Sequence, residues 1–136
     1  MSLFVDTSVW SLAFRRDLPA ARIEVGELVR AIEAGEMLFT IGLVLQELLQ
    51  GFSGPRARER ILDRFSALPL LVPDRQDHID AAELRNRCRR RGIQTGTIGA
   101  LLAQLCIRHD LMMLTIAGDF RHIAEQSGLK LRSATA

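Results

Sequence analysis

Leu3-Phe4-Val5-Asp6-Thr7-Ser8-Val9-Trp10 is the stretch on which the fold turns. Three apolar residues make a run too short for a helix, and Asp6-Thr7-Ser8 closes it with residue types that favour helix N-caps. Val9, Trp10, Leu12, Ala13 and Phe14 then recur at helical spacing. A buried strand therefore feeds straight into a helix, with a carboxylate at the junction.

The same alternation continues outward. Pro19 suits a first helical turn, and Ile23, Leu28, Val29 and Ile32 follow at helical spacing until Ala34-Gly35. Met37–Thr40 reads as a second strand, and Leu43 to Leu49 as a strongly apolar helix stopped by Gly51. A helix after Pro55 carries Ile61, Leu62 and Phe65. Leu68–Val72 surrounds Pro69, which cannot donate to a ladder, so this third strand should be short or at an edge. Asp74 or Asp77 caps a helix ending in an arginine run before Gly92, and Thr95 or Thr97 opens another through Leu101, Leu102, Leu105 and Ile107. Met112–Thr115 is a fourth strand, 119–126 a short helix and Leu129–Leu131 a fifth strand. Short apolar strands alternating with helices describe one α/β domain, with a mainly parallel sheet of about five strands flanked by helices. It should span 1–132, with 133–136 as a loose tail.

Composition agrees: 136 residues, 48% hydrophobic and 25% charged, suit one globular domain and exclude a disordered chain. No apolar run approaches the roughly 20 residues of a membrane-spanning helix. Asp6 interrupts the start before a signal-peptide core can form, so a cytoplasmic protein is expected. Cys88 and Cys106 sit in apolar-periodic stretches outside any CxxC pair, as buried thiols do. The net charge is only +2, but every basic residue except Lys130 is arginine. The arginines cluster at 56, 58, 60 and 64 and again at 85, 87, 89, 90 and 91. Such clusters either track a nucleic-acid backbone or form solvated helix faces.

In parallel α/β sheets, ligand sites form beyond the carboxyl ends of the strands. That rule selects Asp6 after the first strand, Thr115 at the end of the fourth, and Asp119 shortly beyond. Glu47, on the helix after the second strand, can reach the same edge. Among so many leucines it is either a costly carboxylate compensated by a cation, or part of one wet stripe with Gln46 and Gln50. Asp6 and Asp119 each have helix capping as the alternative. Carboxylates with few histidines suit hard cations such as Mg2+ or Mn2+. His78, His109 and His122 lack ligand-like spacing and read as surface or capping residues.

Four segments in order carry a family resemblance. Leu3–Trp10 resembles the opening strand and turn of PIN-domain ribonucleases of the VapC toxin family. Leu45-Gln46-Glu47-Leu48-Leu49-Gln50-Gly51 is similar to the second motif, an acid followed by a hydrophobic pair and a glycine. Arg89-Arg90-Arg91-Gly92-Ile93, then Thr97-Ile98-Gly99-Ala100-Leu101-Leu102-Ala103, resembles the segment that brings the third acid. Leu114-Thr115-Ile116-Ala117-Gly118-Asp119-Phe120 resembles the closing block, usually Leu-Thr-x-Asp-x-Asp-Phe. The chain departs twice: Gly99 and Ala117 stand where the family usually has Asp.

The resemblance implies a Mg2+-dependent (or Mn2+-dependent) endoribonuclease toxin that cleaves cellular RNA, tRNA or rRNA, under control of a VapB-like antitoxin, and a homodimer. Asp6 and Glu47 would hold the ion, with Thr7, Ser8 and Thr115 as supporting hydroxyls. Asp119 would be a substitute ligand or merely a cap, and Arg89, Arg90 and Arg91 candidates for RNA contact. With Gly99 and Ala117 in the acidic quartet, metal binding should weaken and little or no cleavage is expected. The alternative is a catalytically silent module that keeps the antitoxin and RNA surfaces. Trp10, Phe14, Leu48 and Phe52 either line an apolar groove for an antitoxin segment or fill the core.

Overall fold

Every apolar run identified above becomes an element. The computed structural model describes residues 2–15 and 22–133. Their order is β1 (Leu3–Val5), α1 (Thr7–Phe14), α2 (Ile23–Glu33), β2 (Leu38–Ile41), α3 (Gly42–Gly51), α4 (Pro55–Ser66) and β3 (Leu70–Leu71). Then follow α5 (Arg75–Arg90), α6 (Thr97–Arg108), β4 (Met112–Leu114), α7 (Asp119–Glu125) and β5 (Lys130–Leu131). The five strands form one sheet in the order β3-β2-β1-β4-β5, with every pairing parallel. β1 is central: Leu3 faces Leu38 on one side and Met112 on the other, and Val5 faces Leu114. Leu3, Phe4 and Val5 are completely buried, which is why the strand reads as a continuous apolar run. The sheet is thus fully parallel, and the direction of winding reverses at β1.

Several boundaries differ from the sequence reading. β2 starts at Leu38, leaving Met37 exposed. β3 is only two residues long, at the edge as Pro69 dictates, with the Pro69 carbonyl accepting from the Thr40 N–H at 3.1 Å. β4 ends at Leu114, one residue before Thr115. Asp74 and Asp77 do not compete to cap α5; each accepts the other's backbone N–H, at 2.9 and 2.8 Å, in a capping box. Gly96, not Thr95 or Thr97, occupies the N-cap of α6. Pro19 lies outside the described residues, and α2 begins at Ile23. Of the expected tail, Ser133 is exposed and 134–136 lie outside the described residues.

Two charged clasps close the fold. Arg108 of α6 donates to Asp77 at 2.6 Å, tying the end of α6 to the start of α5. Arg132, just past β5, donates to Glu36 through both Nη atoms at 3.0 and 2.7 Å and to Glu27 of α2 at 3.0 Å. Cys88 and Cys106 are buried free thiols, as expected. Burial, with Asp6 adding to it, pushes the Cys106 thiol far up, so it stays protonated and inert. No helix among the described residues is long and apolar enough to cross a membrane.

Candidate active site

Asp6 stands where β1 becomes α1. Its backbone N–H continues the β4 ladder to the Leu114 carbonyl at 2.9 Å, and its own carbonyl accepts from Val9 and Trp10. It therefore occupies the N-cap position, yet its side chain makes no capping hydrogen bond. The carboxylate, in a residue only 7% exposed, instead accepts on Oδ2 from the Ser8 hydroxyl at 2.7 Å and the Thr115 hydroxyl at 2.8 Å. Those hydroxyls are themselves aimed: Ser8 Oγ accepts from the Ile116 N–H at 3.2 Å, and Thr115 Oγ1 from the Ala117 N–H at 3.0 Å. With its lone pairs so occupied, each hydroxyl turns its proton toward Asp6. The capping alternative for Asp6 falls, because its side chain bonds no backbone N–H of α1.

Glu47 is exposed, so the desolvation argument made from its leucine neighbours does not apply. It emerges on the wet stripe, where Gln46 donates to Gln50 at 2.8 Å. That stripe nonetheless faces the site, because the Thr7 hydroxyl donates to Glu47 Oε1 at 2.9 Å. Thr7 follows Asp6 in the chain, so one turn of α1 connects both acids. Thr7, Ser8 and Thr115 each hydrogen-bond to Asp6 or Glu47.

Asp119 behaves differently. It is the first residue of α7, exposed, with Gly118 at the N-cap, so its side chain is not the cap. Among the described residues, no three His, Cys, Asp or Glu side chains converge as a metal-binding group. Asp6, Glu47 and Asp119 thus do not form such a group among the described residues. Gly99 is the third residue of α6, where an added Cβ would meet only the Phe120 ring, at 3.9 and 4.0 Å. That is ordinary packing distance, so a side chain fits there. Ala117, half-buried, lies between Thr115 and Asp119 in the loop after β4.

A cleft of about 540 Å3 opens from Thr7 and Glu47 between α1, α3 and α4, with Phe14, Phe52, Arg56 and Arg60 in its walls. The sequence reading held the cluster with Arg56 and Arg60 as one that tracks a nucleic-acid backbone or forms a solvated face, without placing it at a cleft; their four-residue spacing, one turn of α4, was the available signal. It favoured Arg89, Arg90 and Arg91 instead. Arg89 and Arg90 are exposed, whereas Arg91 is tied to Gln126 at 2.5 Å. Trp10, Phe14 and Leu48 are 2%, 9% and 1% exposed and belong to the core, with Phe52 half-buried beside them. Trp10 also borders a separate groove of about 560 Å3 with Leu28, Val29 and Ile32 of α2, and its buried Nε1 has no partner among the described residues. His78, His109 and His122 are exposed, and His109 is the C-cap of α6.

A parallel α/β sheet whose winding reverses at the strand bearing a hydroxyl-held carboxylate defines an α/β domain with an acidic site at its carboxyl edge. The PIN domain family model matches residues 3–126, and the chain belongs to that family. Its fold is that of solved toxin–antitoxin structures. VapBC2 from Rickettsia felis, bound to a DNA fragment from the promoter, is similar at TM-score 0.74 and 20% identity, covering 99% of this chain and 100% of that one. VapBC-1 from nontypeable Haemophilus influenzae is similar at TM-score 0.74 and 16% identity, covering 98% of each chain. VapC20 from Mycobacterium tuberculosis, a sarcin-ricin loop cleaving toxin, is similar at TM-score 0.66 and 21% identity, covering 88% of this chain and 92% of that one. No curated protein sequence matches the chain.

Proposed function

We propose that the chain is a VapC-type toxin scaffold for Mg2+-dependent (or Mn2+-dependent) endoribonuclease chemistry on cellular RNA, with that chemistry impaired by Gly99 and Ala117. The observation that carries this reading is the Asp6 carboxylate, withheld from its cap and held by Ser8 and Thr115 at the sheet's carboxyl edge. A structural aspartate at an N-cap would donate its acceptor to the helix; this one is kept for another partner.

The donor set fits a hard cation in kind. Asp6 and Glu47 supply carboxylate oxygen and Thr7, Ser8 and Thr115 hydroxyl oxygen. It falls short in number, with two carboxylates where the family usually has four. A bound cation would activate water and offset charge on the scissile phosphate. Asp6 and Glu47 would hold it. The chain's own contribution is positional: Ser8 and Thr115 fix the Asp6 carboxylate, and Thr7 fixes Glu47 relative to it. Asp119 could contribute only from outside that pair.

A VapB-like antitoxin is the proposed partner, supported by the VapBC assemblies among structures of the same fold. The groove between α1, α2 and α4 suits an amphipathic segment, because Val29 is 46% exposed on its rim and Trp10 Nε1 lacks an acceptor among the described residues. Homodimerisation belongs to the same proposal.

Cleavage of total cellular RNA with Mg2+ or Mn2+ tests the reading, comparing this chain with its Gly99→Asp/Ala117→Asp form. Cleavage by the double variant alone supports a nuclease silenced at its metal site. Cleavage by both overturns the impairment. Cleavage by neither favours a binding module that keeps the RNA and antitoxin surfaces without chemistry.

A further inference from the structure

We propose that the cleft between α1, α3 and α4 is a subsite for one unpaired nucleotide of single-stranded RNA, filled without help from a metal ion. The proposal rests on the ribonuclease reading for its ligand class. Its location comes from the cleft itself. Thr7 and Glu47 form one end, so whatever lies in the cleft reaches the Asp6 junction.

Charge and aromatic character coincide there. Among the described residues, Arg56 and Arg60 of α4 line the cleft with one carboxylate, Glu47. Arg56 and Arg60 stand one turn apart on α4 and so present guanidinium groups along one face, suited to successive phosphate oxygens. Arg60 is preset: its guanidinium lies 5.5 Å from the centre of the Phe14 ring and donates to the Phe14 carbonyl at 3.5 Å. Phe52, half-buried and set edge-on to Phe14 at 6.5 Å, supplies an apolar wall on which a base can stack. A cleft of about 540 Å3 is the size of a small-ligand site. A base within a duplex is already stacked and cannot enter it, so the subsite selects unpaired nucleotides. With glycine at 99 and alanine at 117, fewer negative charges stand at the sheet edge, and phosphate needs no bridging cation to approach.

The test is binding of short fluorescent single-stranded oligoribonucleotides to the full chain in EDTA, beside the same sequences annealed into duplex. Binding of the single strand is expected, with the duplex weaker. Phe52→Ala should weaken it at least about fivefold, the low end for loss of one base–aromatic stack. Arg56→Glu should weaken it further and flatten its salt dependence. Gly51 lines the cleft, and a Cβ there meets no atom within 4 Å, so Gly51→Leu should obstruct the subsite without disturbing the helix. Unfolding curves for each variant separate lost binding from lost structure. Absent binding, equal duplex binding, or binding indifferent to all three variants overturns the proposal. So does loss of antitoxin binding in these variants with oligoribonucleotide binding intact, which would make the cleft a peptide site. The nuclease reading is judged separately, by cleavage in the Gly99→Asp/Ala117→Asp form. That form can fail to cut while the subsite stands, or cut while the subsite falls.

Discussion

Thr115 donates its hydroxyl to Asp6 at 2.8 Å across 109 residues of sequence. That bond and the one from the Ile116 N–H to Ser8 Oγ at 3.2 Å join the loop after β4 to the N-terminus of α1. Thr115→Val removes one donor from a carboxylate that is nearly buried and leaves the Ala117 N–H without its acceptor. The variant should lose about 1–3 kcal/mol of stability. Urea unfolding measures it, and a loss below about 0.5 kcal/mol would show that the bond does not hold the junction.

Divalent cations should distinguish the chain from its double variant even without RNA. A ligand that binds only the folded state raises stability with its concentration. Millimolar Mg2+ should barely move the unfolding temperature of the chain as it stands, and raise that of Gly99→Asp/Ala117→Asp by a few degrees. Equal shifts in both proteins would mean that positions 99 and 117 do not contribute to metal binding.

Gly99→Asp alone should stabilise the metal-free protein. It replaces a glycine in the first turn of a helix that has no acid there, and the added Cβ meets only the edge of Phe120. Helix propensity and the favourable dipole together suggest a gain of about 0.5–1 kcal/mol. A destabilised variant would indicate that the carboxylate is desolvated without a cation.

Acid should loosen the clasp around Arg132. Hydrogen bonding from Arg30, outweighing burial and assisted by Arg132, holds Glu27 below the usual carboxylate range. Arg132 does the same for Glu36. Groups lowered on folding add stability above their unfolded values, and that stability is lost as pH falls through the folded ones. Arg132→Gln should therefore cost about 2 kcal/mol at neutral pH, less than breaking a fully buried pair, and the difference should shrink below about pH 4. A difference independent of pH would assign the effect to packing.

Trp10 is the only tryptophan, and the chain has no tyrosine, so its emission comes from one side chain, in the wall of the groove between α1, α2 and α4. Saturation with an antitoxin segment should shift that emission, and Val29→Asp should weaken binding about tenfold or more. An unchanged spectrum at saturation would place the antitoxin elsewhere.

The alternation of short apolar runs with helical periods made most of the fold legible. The strands are buried on both faces, and no competing period obscures them. What escaped was orientation. Glu47 reads either as a carboxylate among leucines or as part of a wet stripe, because a linear string does not decide that Val44 and Leu48 turn inward while it turns out. Asp6 has the sequence of a cap, and only Thr115, placed by pairing of β1 with β4, reveals that its oxygen is diverted. For Asp119, proximity in sequence to the fourth strand suggested convergence; the residue opens α7 and is exposed. The arginines that border the cleft were visible as a cluster, yet nothing local indicated that α4 lies against the site.

Because β1 is the central strand, its two neighbours come from opposite directions along the chain: β2 follows early, whereas β4 begins at Met112. A ribosome making this protein adds Thr115 109 residues after Asp6. Through that interval the growing polypeptide has no β4 and no hydroxyl at position 115 to set the carboxylate. The carboxylate is thus set only once β4 and the loop behind it have been made, and chains truncated before Thr115 cannot set it.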